Sequence, residues 1–100
     1  MSVFLQKHYE RLLVYNIQYA RGVAKDLRKF PKKIKEQVLQ IVEQELAKDP
    51  YQGKPLTGSY KGLWKYRLGT YRVIYSIEKK ALVIFVLRIR HRKDVYEGIV

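Results

Sequence analysis

Lys65, Arg67, Arg72, Arg88 and Arg90 recur at alternate positions of the stretches LWKYRL, YRVIYSI and VIFVLRIR, and His91, Arg92 and Tyr96 follow close behind. Successive side chains of an extended chain point to opposite faces, so this spacing lines up cations on one side of a sheet. Such a set suits phosphate chemistry. A guanidinium grips two phosphate oxygens and keeps its charge, whereas an ammonium is a point charge that neighbours can drive towards neutrality. Metal-free cleavage of RNA needs a 2′-OH deprotonated, a pentacoordinate phosphorane stabilised and a 5′-oxygen protonated. Arg72 is the candidate clamp, and Arg67 builds the same positive pocket. Lys65 is the candidate base, because crowding by cations lowers a lysine from about 10.4. His91 titrates nearest to physiological pH and offers an acid or base, or else caps the strand as an ordinary surface histidine. Tyr96 offers a ring to stack on a base or ribose and a hydroxyl to orient phosphate, and is also a residue type that packs at chain ends. Lys61, Arg88 and Arg90 are candidate RNA-binding cations. Without further context, Lys65 and Arg67 read equally well as solvated charges.

The elements that must position these residues follow from periodicity. Apolar residues in LLVYNI, Leu12 to Ile17, predict a first strand. Ala20, Val23, Ala24 and Leu27 then recur at helical spacing, with Arg21, Lys25, Asp26, Arg28 and Lys29 on the remaining faces. Phe30-Pro31 closes this helix, and Pro31 fits the first turn of a second one. Ile34, Val38, Ile41, Val42 and Leu46 mark that helix to about Lys48, where Asp49-Pro50 ends it. The short connection predicts an antiparallel helical hairpin over one face of a sheet. The segment YQGKPLTGSYKG reads as loop. Three strands are expected at Leu63 to Leu68, Tyr71 to Ile77 and Leu82 to Ile89, with turns at Gly69-Thr70 and Glu78-Lys79-Lys80. Strict alternation puts Trp64, Tyr66, Leu68, Tyr71, Val73, Tyr75, Ile77, Val83, Phe85, Leu87 and Ile89 under the helices. It puts Ile74, Ile84 and Val86 on the opposite face, which turns cationic towards Lys65, Arg67, Arg72, Arg88 and Arg90. The aromatics of the hairpin therefore read as core rather than as a base-stacking platform. The first strand is expected at a sheet edge or beside the last strand, and HRKDVYEGIV forms a short C-terminal helix or tail.

Length and charge set the frame. One hundred residues, 47% of them hydrophobic, suit a single domain, 1–100, with one core. Twenty-one Lys and Arg against nine Asp and Glu give a formal charge of +12, which points to a polyanionic partner. Nucleic acid leads, ahead of an acidic protein and an anionic membrane surface. Cysteine is absent, which excludes disulfides and thiolate chemistry. His8 and His91 are far apart and no carboxylate cluster accompanies them, so no metal and no cofactor are expected. Charged residues interrupt the N-terminal apolar runs, and the longest apolar run, Ala81 to Leu87, is too short to span a bilayer. A cytoplasmic protein with no membrane partner is the expectation.

Four motifs occur in order between about Tyr15 and the C-terminus: Asp49-Pro50; Leu56-Thr57-Gly58; the run Arg67-Leu68-Gly69-Thr70-Tyr71-Arg72-Val73-Ile74-Tyr75; and His91-Arg92 followed by Val95-Tyr96. Each is weak alone; together they resemble the RelE/ParE toxin superfamily of toxin–antitoxin pairs. The resemblance implies a RelE-like α+β toxin, with an N-terminal strand and a helical hairpin packed on one face of a small, mainly antiparallel sheet. It implies an acidic cognate antitoxin, in an arrangement that allows a toxin–antitoxin heterotetramer. In the RelE branch, which cuts mRNA on the ribosome, the roles carried over by position fall on Lys65, Arg67, Arg72, Arg92 and Tyr96. These favour the RNase branch, with ribosome and mRNA as partners. The alternatives are a ParE-like gyrase inhibitor and an inactive nucleic-acid-binding relative. The chain departs from the RelE pattern at Arg67, where that pattern has a second Lys as base. Arginine is a poor proton acceptor. The base role then moves to Lys65 or to His91, or matters less than electrostatic stabilisation.

Overall fold

Apolar alternation drives the C-terminal half of the chain into a sheet, and helical spacing in the first half supplies its cover. The computed structural model describes residues 14–91. Its elements run β1 (Asn16–Tyr19), α1 (Arg21–Arg28), α2 (Lys32–Ile41), a π-helical turn (Val42–Leu46), a 3₁₀ turn (Pro50–Gln52), β2 (Lys54–Pro55), a second 3₁₀ turn (Gly58–Tyr60), β3 (Leu63–Leu68), β4 (Tyr71–Glu78) and β5 (Val83–His91). The strands form one five-stranded sheet in the order β1-β5-β4-β3-β2. β1 runs parallel to β5, and the other pairs are antiparallel.

The hairpin of β3 and β4 is the most local part of the design. Leu68 pairs with Tyr71 across the two-residue loop Gly69-Thr70, and Gly69 sits at φ 61°. A tight turn with its first central residue at positive φ matches the strand twist and favours glycine there. β1 starts later than the apolar run suggests. Leu12 and Leu13 lie outside the described residues, and the pairing is set by partners distant in sequence: the Tyr15 amide donates to the Ala47 carbonyl and the Asn16 amide to the Leu82 carbonyl, both at 2.8 Å. β2 is a short strand within the stretch expected to be loop. Pro31 stands at the N-cap of α2, one place before the first helical residue.

Val23, Val38, Val42, Leu46, Val73, Tyr75, Ile84, Val86 and Ile89 form the buried cluster between helices and sheet, with Leu27, Phe30, Ile34, Trp64 and Tyr66 packed against it. Val38, Val42 and Leu46 repeat every four residues, a spacing that drifts around an α-helix. The wider turn that closes with the Ala47 amide on the Val42 carbonyl, at 3.1 Å, offsets the drift, and all three side chains are buried. Each such burial is worth about 1.5–3 kcal/mol, more than the poorer hydrogen bonding of a single wide turn costs.

The faces of β5 differ from strict alternation. Arg88 pairs with Ile74 while Val86 pairs with Tyr75, so Leu87 is an extra residue, a β-bulge. The bulge reverses the phase. Ile84 and Val86, expected on the open face, lie in the helix-side core, and Phe85, expected in the core, is 39% exposed. Beyond the bulge the expected phase returns, with Ile89 in the core.

Asp26 fastens this end of β5. The pairing of β1 stops at Val86, and α1 continues along the edge that β1 leaves open. The Ile89 amide donates to Asp26 Oδ2 at 3.0 Å, taking the partner a further strand would have supplied. Arg88 donates to the same carboxylate through Nε (2.8 Å) and Nη2 (2.7 Å). Burial pushes the Asp26 carboxyl up, but the Arg88 hydrogen bonds, the Ile89 amide and the charges of Arg88 and Arg90 outweigh it, leaving the group below its usual value. Asp26→Ala should therefore cost about 3 kcal/mol in urea unfolding, since it strands a paired guanidinium and an amide. A carboxyl held below its unfolded value stabilises above about pH 4 and loses that contribution as the pH falls through the folded value. The stability gap between the wild type and Asp26→Asn should accordingly narrow in acid.

Candidate functional site

Register decides which cations meet. Arg67 stands directly opposite Arg72, and Arg72 directly opposite Arg90. Three guanidiniums thus share one rung of the sheet, on neighbouring strands about 5 Å apart. Two residues along, the next rung reads Lys54, Lys65, Ile74 and Arg88. Both rungs lie on the face away from the core cluster. Like charges directly opposite destabilise a strand pair, so the opposed arginines of the first rung and the Lys54–Lys65 pair of the second both work against the sheet's stability.

The sequence candidates divide accordingly. Lys65, Arg67, Arg72 and Arg90 come together. Arg90 is only 6% exposed, opposite Arg72 in register, and its charge also acts on the Asp26 carboxylate. Arg88 shares their face but is engaged by Asp26. His91 stands opposite Tyr71, on the other face, with its ring edge-on to the tyrosine at 5.0 Å between centroids. Lys61 is exposed before the start of β3, at the opposite end of the strand from Arg67. Arg92, Tyr96 and the C-terminal helix or tail lie outside the described residues. Lys54, inside the presumed loop, is a cation that sequence reasoning missed; a two-residue edge strand leaves no periodicity to read.

Two clefts flank Arg67. One of about 410 Å³ is lined by Arg67, Gly69, Thr70, Tyr71 and Arg72. The other, about 220 Å³, is lined by Gln52, Gly53, Lys54, Lys65, Tyr66 and Arg67. A larger apolar groove of about 530 Å³ runs between α2 and the hairpin tip, past Ile34, Val38, Ile41 and Leu68. No charged side chain lines it, so it is not where a phosphate would sit. Lys65 carries the clearest electrostatic signature: partial burial, then the charges of Arg67, Arg72 and Lys54, hold its ammonium below the usual lysine value. The arrangement can grip an anion between guanidiniums and set beside it an amine that loses its proton more easily than an ordinary lysine.

Residues 17–96 match the family described as the ParE toxin of type II toxin–antitoxin systems, parDE. Toxin RelG of Mycobacterium tuberculosis is 32% identical over 83 residues, covering 82% of this chain and 95% of the relative. The fold superposes on the toxin–antitoxin complex RelBE2 of the same organism with a TM-score of 0.77 and 32% identity, over 81% of this chain and 94% of that one. The archaeal RelE–RelB complex of Pyrococcus horikoshii is matched with a TM-score of 0.60 and 31% identity, over 87% of this chain and 99% of its counterpart. Among the described residues, no helix is long and apolar enough to cross a membrane.

Lys65 should titrate below the other lysines when side-chain ammonium groups are followed by NMR. Replacing Arg67 or Arg72 with Gln removes a repelling charge, so either change should move Lys65 back up towards its ordinary value; no movement would show that burial alone sets it.

Proposed function

This chain belongs to the RelE/ParE family of type II toxin–antitoxin toxins, and we propose that it is a ribosome-dependent mRNA endoribonuclease. The observation that carries this reading is the rung Arg67–Arg72–Arg90 beside a depressed Lys65. A phosphorane carries more negative charge than the diester it forms from, so fixed guanidiniums favour the transition state over the ground state. Arg72, central in the rung, clamps the phosphate, and Arg67 and Arg90 share the charge. Lys65, as the neutral amine, takes the 2′-OH proton. The 2′-oxygen bonds to phosphorus, the bond to the 5′-oxygen breaks, and that oxygen takes a proton from solvent, to which Lys65 returns its own, leaving a 2′,3′-cyclic phosphate and a 5′-hydroxyl. Arg92 and Tyr96 join the set by resemblance. His91 supports it least, since it packs on Tyr71 across the sheet.

The clefts are small and open, which suits a substrate already extended by another body. The ribosomal decoding site presents such an mRNA, and a net charge of +12 draws the toxin to rRNA. An acidic antitoxin that covers the cationic rungs would neutralise the toxin. A second reading, inhibition of gyrase, is favoured by the ParE description of the matching family.

Expression without antitoxin separates the two. Under the nuclease reading, wild-type protein arrests growth and cuts translated mRNA, while folded Arg72→Ala loses at least about 10²-fold in cleavage, as expected for removal of a transition-state donor. Arrest with intact mRNA, DNA damage and an unaffected Arg72→Ala would support gyrase instead.

A further inference from the structure

Lys54 stands directly opposite Lys65, in the rung next to the three arginines. Its position is rigidly supported. The buried Tyr75 hydroxyl donates to the Pro50 carbonyl at 2.6 Å, and the Asp49 carboxylate accepts from the Tyr51 amide at 3.1 Å. The Gln52 amide group donates to the Glu45 and Asp49 carbonyls, each at 2.9 Å. Gly53 lies so close to β3 that an added Cβ would sit 2.7 Å from the Lys65 carbonyl oxygen and closer still to the Tyr75 hydroxyl. A segment tied down this firmly fixes the backbone from which Lys54 extends, yet that position faces another lysine, where a neutral residue would pair better. The cost makes sense if an anion sits between them.

We propose that Lys54, with Lys65 and the 220 Å³ cleft they line, binds a second RNA phosphate, that of the nucleotide flanking the one held by Arg72. The inference rests on the endoribonuclease reading for its ligand and on the rung geometry for its place. Arg67 is the wall between the two clefts. Along β3 the two rungs are separated by two residues, about 7 Å, a step comparable with that between phosphates of an unstacked strand. An anionic strand laid across both rungs would neutralise the opposed charges in each. An extended acidic peptide would repeat its same-face carboxylates at a similar spacing, so the choice of RNA follows from the endoribonuclease reading.

The test compares a uridine dinucleotide, with one phosphate, and a trinucleotide, with two, both 2′-O-methylated against cleavage, binding the whole protein at low salt. Wild type should gain about fivefold in affinity from the second phosphate, the scale of one exposed ion pair. Lys54→Ala should lose that gain while binding the dinucleotide as wild type does, and Lys54→Arg should keep it. Lys79→Ala, a control in the β4–β5 turn, should also keep it. The proposal is overturned if wild type gains nothing from the second phosphate, or if Lys54→Ala weakens both oligonucleotides alike or neither. Ribosomal cleavage is scored separately: intact mRNA together with a Lys54-dependent gain would sink the nuclease reading and leave the subsite standing.

Discussion

Arg67, Arg72 and Arg90 occupy opposed positions on three adjacent strands, and in the free protein their mutual repulsion opposes the sheet that holds them. Hydrophobic burial on the other face keeps the strands paired. Val73 and Ile89 lie in the same register as one another, in the pairs next to this rung, and both are fully buried. In β3 and β4 the division follows from period two: one set of side chains fills the core, and the alternate set presents cations on the opposite face.

Two features carry this division across β5. The extra residue Leu87 lets Ile84 and Val86 enter the core without sending Ile89 out of it, so Arg88 and Arg90 still fall on the cationic face. Asp26 then secures the strand beyond the reach of β1 by accepting from the Ile89 amide and two Arg88 nitrogens. One buried carboxylate thus neutralises Arg88 and fixes the strand that carries Arg90. Without it, the end of β5 would have an open amide at its edge, and Arg88 would lose its carboxylate partner.

Much of this was legible in the sequence because it is local. The β3–β4 hairpin, its Gly69-Thr70 turn, the span of α1 and the shared face of Lys65, Arg67 and Arg72 all follow from short-range periodicity and turn chemistry. The bulge was not, since LVIFVL is apolar in either phase and gives no sign of an extra residue. Asp26 sits three residues after Val23 and one before Leu27, at the margin of the apolar stripe; that placement was the available signal, but its partner is 62 residues away. The start of β1 depended on Ala47 and Leu82 in the same way. His91 was not placed because the last strand was expected to end at Ile89; the strand runs on to His91, and alternation then sets its ring against Tyr71, away from the arginines.

A ribonuclease that works by guanidinium stabilisation and 2′-OH attack leaves a chemical record on its product. The decisive measurement is the end-group analysis of mRNA cut by the purified toxin on programmed ribosomes. The account predicts 5′-hydroxyl and 2′,3′-cyclic phosphate ends at positions set by the codon in the decoding site, with no cut in the same mRNA free of ribosomes. Cuts bearing 5′-phosphates, or intact mRNA from folded toxin, would contradict it.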